Sequence, residues 1–396
     1  MLALHGIASQ ATGFDPEKAR DVIRLCAPQG APADPADAAL VKQPDDLSVA
    51  ASNGFSAAVV VDGAGGGREI VQGMSRLLTV PDAFSYFGPG DILGVQPATK
   101  RFRTLYRRGS AHNSFLVTER CNHYCLMCSQ PPRKIDDRWI LREIREALPL
   151  VSKETRSLGF TGGEPLLDWQ EFMATLAECR GLLPDTAIHV LSNGRAFASS
   201  EVTEAWADVR HPNLMVGIPI YSAVDSIHDY VVQANGAFDE TVLGILKLKD
   251  RGQRVEVRVV LHAITAPGIV ATCRWIARNL PFVDHVALMG LENTGFAIAN
   301  SELLWIDPMD YREQLAEAVD TLSSARVRVS VYNLTRCVLQ PSVWRYAAQS
   351  ISDWKNDYLP ECDDCCEKPR CSGFFTTGRP KYSRGIKALS NSAIAH

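Results

Sequence analysis

Two groups of cysteines stand out among the eleven in this 396-residue chain. Cys121-Asn122-His123-Tyr124-Cys125-Leu126-Met127-Cys128 has the spacing CxxxCxxC. Cys362-Asp363-Asp364-Cys365 followed by Cys371 has the spacing CxxCx5C, with Cys366 inside the spacer and Cys337 upstream. Three thiolates on one short loop can reach three irons of a cubane cluster and leave the fourth iron without a protein ligand. A structural zinc is the alternative, but it asks for four closed ligands. His123 could supply the fourth only from between the cysteines, where tetrahedral geometry is poor. In the second group, Cys337, Cys362, Cys365 and Cys371 could close a zinc site or ligate a second iron–sulfur cluster, and Cys366 could replace Cys365. Spacing does not choose between those. Cys26, Cys179 and Cys273 stand alone inside or beside apolar stretches and read as inert thiols.

An iron left open on the first loop suits chelation by the amino and carboxylate groups of S-adenosylmethionine (SAM), whose sulfonium C–S bond a reduced cluster can break. Residues able to hold such a ligand follow at intervals. Ser157–Thr161 reads as a strand ending in Gly162-Gly163-Glu164-Pro165, where glycines allow close backbone approach and peptide carbonyls can accept from an ammonium. Glu164 can shape that loop or accept hydrogen bonds itself. Ser192-Asn193-Gly194 ends the next strand, and Ser222 closes the one after, with Asp225, His228 and Asp229 nearby. Tyr221, His228 and His262 are candidate acid–base groups by position, while Arg258 and His262 have the parity to share one strand face.

Positioning these residues requires alternating elements. Strand-like runs fall at 114–118, 157–161, 187–192, 214–221, 255–262 and 283–289, with helical patterns at 137–148, 169–180, 201–209, 238–251 and 269–279. Strands separated by helices imply parallel crossovers, hence an α/β sheet or incomplete barrel whose chemistry collects at the C-terminal strand ends. The first ~115 residues differ. Asp15 and Pro16 open a helical pattern through Cys26, residues 27–46 suit a linker, and β signals follow at 57–61, 92–95 and 101–106. Gly63–Gly67 lacks both the Lys-Ser/Thr ending and the GxGxxG spacing of phosphate loops, so it reads as a hairpin turn.

The motifs resemble those of the radical SAM superfamily over about 114–300: CxxxCxxC after the first strand, Gly162–Pro165 after the second and Ser192–Gly194 after the third. The resemblance implies a partial (β/α)6 barrel and a 4Fe–4S cluster on Cys121, Cys125 and Cys128. It also implies a 5′-deoxyadenosyl radical that abstracts hydrogen from substrate, with Gly162, Gly163 and Glu164 lining the SAM amino group. Ser192, Asn193 and Ser222 join the expected SAM-binding set. The neighbour of the third cysteine, usually aromatic in that family, is Met127 here, which alters the packing expected against adenine. The C-terminal cysteines resemble the SPASM or twitch extensions that bind auxiliary 4Fe–4S clusters. Four ligands (Cys337, Cys362, Cys365, Cys371) fit a single twitch-like cluster. The expected organisation is an N-terminal β-rich domain over 1–113, a radical SAM barrel over 114–310 and an auxiliary-cluster extension over 311–396.

More narrowly, Cys121–Pro132, Ala287–Glu292, Leu304–Pro308, Ser350–Asn356 and Cys371–Phe375 resemble the HxsC family of His-Xaa-Ser peptide maturases. That implies a small ribosomal precursor peptide as substrate, a sister maturase, and an electron donor such as flavodoxin or ferredoxin. The N-terminal β-rich domain could take the peptide leader along an exposed strand edge. A formal net charge of -4 and a pI near 6.2 argue against a general nucleic-acid binder. No apolar run long enough for a membrane helix and no secretory pattern is present, so the expected compartment is the cytoplasm.

Overall fold

The computed structural model describes residues 2–15, 17–63, 73–349, 352, 356–377 and 382–390. Pro16, residues 64–67 of the glycine-rich turn, and 350–351 and 353–355 of the Ser350–Asn356 stretch lie outside the described residues.

The N-terminal part is built from β1 (His5–Ile7), β2 (Gln10–Thr12), β3 (Asp21–Cys26), β4 (Asp37–Val41), α1 (Asp46–Ser52), β5 (Ala57–Val61), β6 (Arg76–Val80), β7 (Ile92–Gln96) and β8 (Arg101–Tyr106). Its strands form one mixed sheet in the order β1-β8-β7-β3-β4-β5-β6-β2. The helix expected through Cys26 is instead strand β3, and the expected linker contains strand β4. Both are short apolar runs buried at the sheet centre, where a strand flanked on both sides needs no alternation to mark it. The two outermost strands come from one segment. β1 pairs with β8 and β2 with β6, while between them Ala8 N–H donates to the Lys100 carbonyl (2.8 Å) and Ser9 N–H to that of Thr79 (2.9 Å). Residues 5–12 therefore bridge the two ends of the sheet, β1 pairing with β8 and β2 with β6 among the described residues.

The second sheet contains β9 (Asn113–Thr118), β10 (Ser157–Gly162), β11 (Ala187–Leu191), β12 (Leu214–Pro219), β13 (Arg254–Leu261), β14 (His285–Gly290) and β15 (Val329–Tyr332). All neighbours are parallel and follow chain order. Right-handed crossovers between strands in chain order place every connecting helix on one face, which bends the sheet toward a barrel. Those helices are α2 (Trp139–Ala147), α3 (Trp169–Leu182), α4 (Ser200–Val209), α5 (Asp225–Val232), α6 (Ala237–Asp250) and α7 (Ile269–Asn279). The short α8 (Phe296–Ala299) and α9 (Ser301–Leu304) then lead into α10 (Pro308–Ser324). Six strands were expected; the seventh, β15, lies past residue 310, in the segment expected to be the auxiliary extension. Asp307 caps α10 by accepting from Met309 N–H (2.9 Å), with Pro308 in the first turn, a start signal legible in the sequence.

Between sheet and helices sits one continuous apolar core, in which Phe160 packs against Phe115 and Phe172 at ring separations of 5.8 and 5.7 Å. Val22, Ile92, Leu105 and Tyr106 of the N-terminal sheet join it. At that junction Trp139 of α2 lies 3.7 Å under the Arg20 guanidinium, and Arg103 Nε donates to the buried Glu143 (2.7 Å). The C-terminal segment continues past β15. Ala348 N–H donates to the Val331 carbonyl (2.8 Å) and β16 (Asn356–Asp357) pairs with β17 (Phe374–Phe375). Among the described residues no helix is long and apolar enough to cross a membrane.

Candidate functional site

The Cys121–Cys128 loop leaves the C-terminal end of β9 and is held from four sides. Gly163 N–H donates to the Thr118 carbonyl (2.7 Å) and Glu164 N–H to that of Arg120 (2.8 Å), so the turn after β10 is laced to the start of the loop. Glycine is required at both positions. A Cβ at Gly162, whose φ is +129°, would stand 2.4 Å from the Thr118 oxygen, and one at Gly163 would stand 1.9 Å from that of Arg120. On the other flank Tyr124 and Leu126 N–H donate to the carbonyls of Val232 and Val231 at the end of α5. Phe296 N–H donates to the Cys128 carbonyl (2.8 Å) and Asn300 Nδ2 to that of Leu126 (2.8 Å). Asn300 lies far along the chain from the loop, and nothing in its sequence context signals the contact.

Glu164 organises the turn around it. Its carboxylate is buried and accepts from Leu166 N–H (3.0 Å), Ser192 Oγ (2.8 Å) and Asn193 N–H (2.7 Å). Burial pushes its pKa up against the pull of those three donors. Asn193 extends the lattice, its Nδ2 donating to Asn122 Oδ1 (2.7 Å) on the cysteine loop. Ser192 and Asn193 thus tie the end of β11 to the turn after β10 and to the loop after β9. Ser222 accepts from Val224 N–H (3.0 Å) just ahead of α5.

The three thiols are partly buried and share no disulfide. His123 N–H donates to Cys121 Sγ (3.4 Å), and the Cys128 thiol donates to the Gln130 carbonyl (3.1 Å). Burial pushes Cys121 up to about 11 and raises Cys125 and Cys128 as well; for Cys121 and Cys125 the neighbouring cysteines add to the shift. Buried thiols so placed become thiolates only beside strong positive charge, as a metal centre provides. Among the described residues no three His, Cys, Asp or Glu side chains converge on one point as ligands of a single ion. A cubane, which takes one sulfur per iron, does not ask for that convergence. Met127 is buried with Tyr221, Val231 and Leu304, so it packs into the loop's own support.

Of the candidate acid–base residues, His228 and His262 hold backbone in place. Tyr221 N–H donates to His228 Nδ1 (3.2 Å), and His262 Nδ1 accepts from Ile264 N–H (3.3 Å). Burial lowers His123, His228 and His262 to about 4, and it raises Tyr221 far above its ordinary value. Tyr221 and His228 stand together, with ring centroids 5.7 Å apart. β13 ends at Leu261, so His262 lies just beyond the strand that carries Arg258. Arg258 instead donates to Glu256 (2.7 Å), whose other oxygen lies 2.7 Å from His285 Nδ1. This polar ladder on the concave face was missed in the sequence, although the alternation Arg254-Val255-Glu256-Val257-Arg258-Val259 signals it. A parallel strand buried on both faces would read as continuously apolar.

A second cleft is lined by Cys337, Cys362, Cys365 and Cys371, together with Arg336, Tyr358, Glu367 and Leu389. Cys366 does not line it; its N–H donates to the Leu389 carbonyl (2.9 Å). Two backbone N–H groups donate to sulfur there, Arg336 to Cys371 (3.5 Å) and Leu389 to Cys365 (3.3 Å). The Arg336 guanidinium is fixed by Glu367 at 2.6 Å, placing positive charge beside the cleft. Burial raises Cys26 to about 11 and Cys179 and Cys273 to about 12.

Residues 115–276 match the sequence model of the Radical SAM superfamily. No curated protein matches this chain. Among solved structures, SuiB of Streptococcus suis bound to S-adenosylmethionine is similar with a TM-score of 0.44 and 14% identity, covering 55% of this chain and 50% of that one. anSMEcpe with bound AdoMet and Cp18Cys peptide gives 0.42 and 17%, covering 55% and 62%. Coproporphyrinogen III oxidase (HemN) from Escherichia coli gives 0.43 and 12%, covering 54% and 52%. The chain thus spans about half of SuiB and HemN and somewhat more of anSMEcpe.

Proposed function

We propose that this chain, whose residues 115–276 match the Radical SAM superfamily model, is an enzyme that binds SAM at the C-terminal ends of β9 to β12 and modifies a ribosomally made peptide. One observation carries the SAM half. The paired backbone bonds from Gly163 and Glu164 to Thr118 and Arg120 join the Cys121–Cys128 loop and the Gly162–Glu164 turn into one platform. Cys121, Cys125 and Cys128 would hold a 4Fe–4S cluster, which supplies the reductive cleavage of SAM to a 5′-deoxyadenosyl radical. The chain's own residues orient and shield. Gly162 and Gly163 hold the turn against the β9 end, and Glu164 fixes Ser192 and Asn193 around it. Met127 and Tyr221 keep the back of the loop apolar.

Cys337, Cys362, Cys365 and Cys371 would hold a second 4Fe–4S cluster. The peptide half, and the narrower reading of a His-Xaa-Ser substrate, rest on the resemblance of Cys121–Pro132 and the later stretches to those maturases. Anaerobic reconstitution followed by iron, sulfide and zinc analysis, then dithionite reduction with SAM, tests the reading. About eight irons per chain and 5′-deoxyadenosine are expected. About four irons plus zinc would make the second site structural, and zinc alone without 5′-deoxyadenosine would overturn the assignment. Mass change in a co-expressed His-Xaa-Ser peptide tests the substrate.

A further inference from the structure

Between the C-terminal ends of the last barrel strands and the C-terminal segment lies a cavity of about 640 Å3, its open mouth included. Its floor is Leu261 at the end of β13, Leu291 after β14 and Thr335 after β15; Trp305 forms a side, and Phe374 and Tyr382 form the roof. The roof is fastened. The Asp307 carboxylate that caps α10 also takes the Ser383 hydroxyl and Arg384 N–H (3.0 Å). The cavity touches both cysteine groups. Leu291 packs against the apolar cluster that includes Cys125 and Met127, while Thr335 and Phe374 also line the second cysteine cleft.

Two chemical features limit what can enter. Among the described residues none of the side chains lining the cavity carries a charge, so an ammonium, guanidinium or carboxylate would lose its water and find no counter-ion among them. The Tyr382 hydroxyl is buried in the roof without a hydrogen-bond partner among the described residues. A buried hydroxyl is rarely left unpaired, and here an occupant can supply the partner. We infer that this cavity receives the side chain of the substrate residue to be modified. It selects an uncharged side chain, with Tyr382 free to hydrogen-bond to it, and it rejects lysine, arginine, aspartate and glutamate. The role in substrate modification rests on the function proposed above; the charge selectivity rests on the described residues of the lining alone.

The test uses the reconstituted full-length chain with SAM and four small probes, the N-acetyl amides of leucine, tyrosine, lysine and glutamate. Binding is read by saturation-transfer NMR, with SAM binding followed separately by equilibrium dialysis. The leucine and tyrosine amides should bind and the two charged amides should not. Ile386→Trp, which fills the cavity from the C-terminal segment, should remove binding of both. Tyr382→Phe should weaken the tyrosine amide by about tenfold and leave the leucine amide unchanged. Binding of charged and uncharged amides alike, or full binding of both by Ile386→Trp, overturns the cavity's role while SAM binding stands. Amide discrimination in a chain that binds no SAM would leave the pocket and overturn the enzymatic reading instead.

Discussion

Gly163 approaches Arg120 so closely that a Cβ on it would stand 1.9 Å from the Arg120 carbonyl oxygen. The glycine therefore serves the protein's own backbone first. Its N–H bonds to Thr118, and the next N–H bonds to Arg120, so any side chain at 163 must push the turn and the cysteine loop apart. Gly163→Ala should give a folded chain, because the barrel core lies elsewhere, but one that retains less iron at the first cluster and binds SAM at least about tenfold more weakly. Iron analysis and equilibrium dialysis with SAM check this. Wild-type values for both would mean that the loop and turn need not be held together.

Each of Cys121→Ala, Cys125→Ala and Cys128→Ala should abolish SAM cleavage and leave a folded protein. The thiols lie on a loop whose supports, α5 and the 295–300 segment, bond to it through backbone atoms and the Asn300 side chain rather than through sulfur. Circular dichroism should be unchanged while 5′-deoxyadenosine formation under dithionite falls to background. Sustained cleavage by any one variant would remove that cysteine from the ligand set.

The alternation of the parallel sheet was legible because its strands are rich in Val, Ile and Leu, and because helices of two to four turns separate them. The same rule failed on Asp21–Cys26 and Asp37–Val41. Each is too short to show a period, and only their place at the middle of a sheet, set by pairing with distant strands, makes them strands. The cysteine spacing marked the candidate site, and the glycines announced close approach. What they approach was not legible, since the Thr118 and Arg120 carbonyls reveal themselves only when β9 and β10 are paired. The contact of Asn300 with Leu126 joins residues brought together by the barrel, so no local pattern could carry it.

Cys371 and Cys366 should behave oppositely. Cys371 lines the second cleft and accepts from Arg336 N–H, whereas Cys366 stays outside the cleft, anchored by its backbone to Leu389. Cys371→Ala should lower iron by about four per chain and make the C-terminal segment more susceptible to proteolysis, because ligation couples to folding there. Cys366→Ala should leave iron content unchanged. Equal loss in both variants would put Cys366 in the ligand set, and no loss in either would leave the cleft without a cluster.

Glu256 links the concave face of β13 to its neighbours, and its charge should make stability depend on acid. Burial alone would raise its pKa, but the neighbouring imidazoles of His189, 3.4 Å away, and His285, with the Arg258 charge, hold it far below the usual carboxylate range. A depressed folded value means that its contribution is complete above the unfolded value, about 4.3, and is lost as pH falls from there toward the folded value. Glu256→Gln leaves Arg258 and His285 without their carboxylate and should cost about 3–5 kcal/mol near pH 7. The gap in thermal midpoint between wild type and variant should narrow below about pH 4.3. Both proteins carry the same cysteine clusters, so acid loss of iron affects them alike and cancels in the difference. A gap that stayed constant down to pH 3 would show that Glu256 is not held in its charged form by the folded chain.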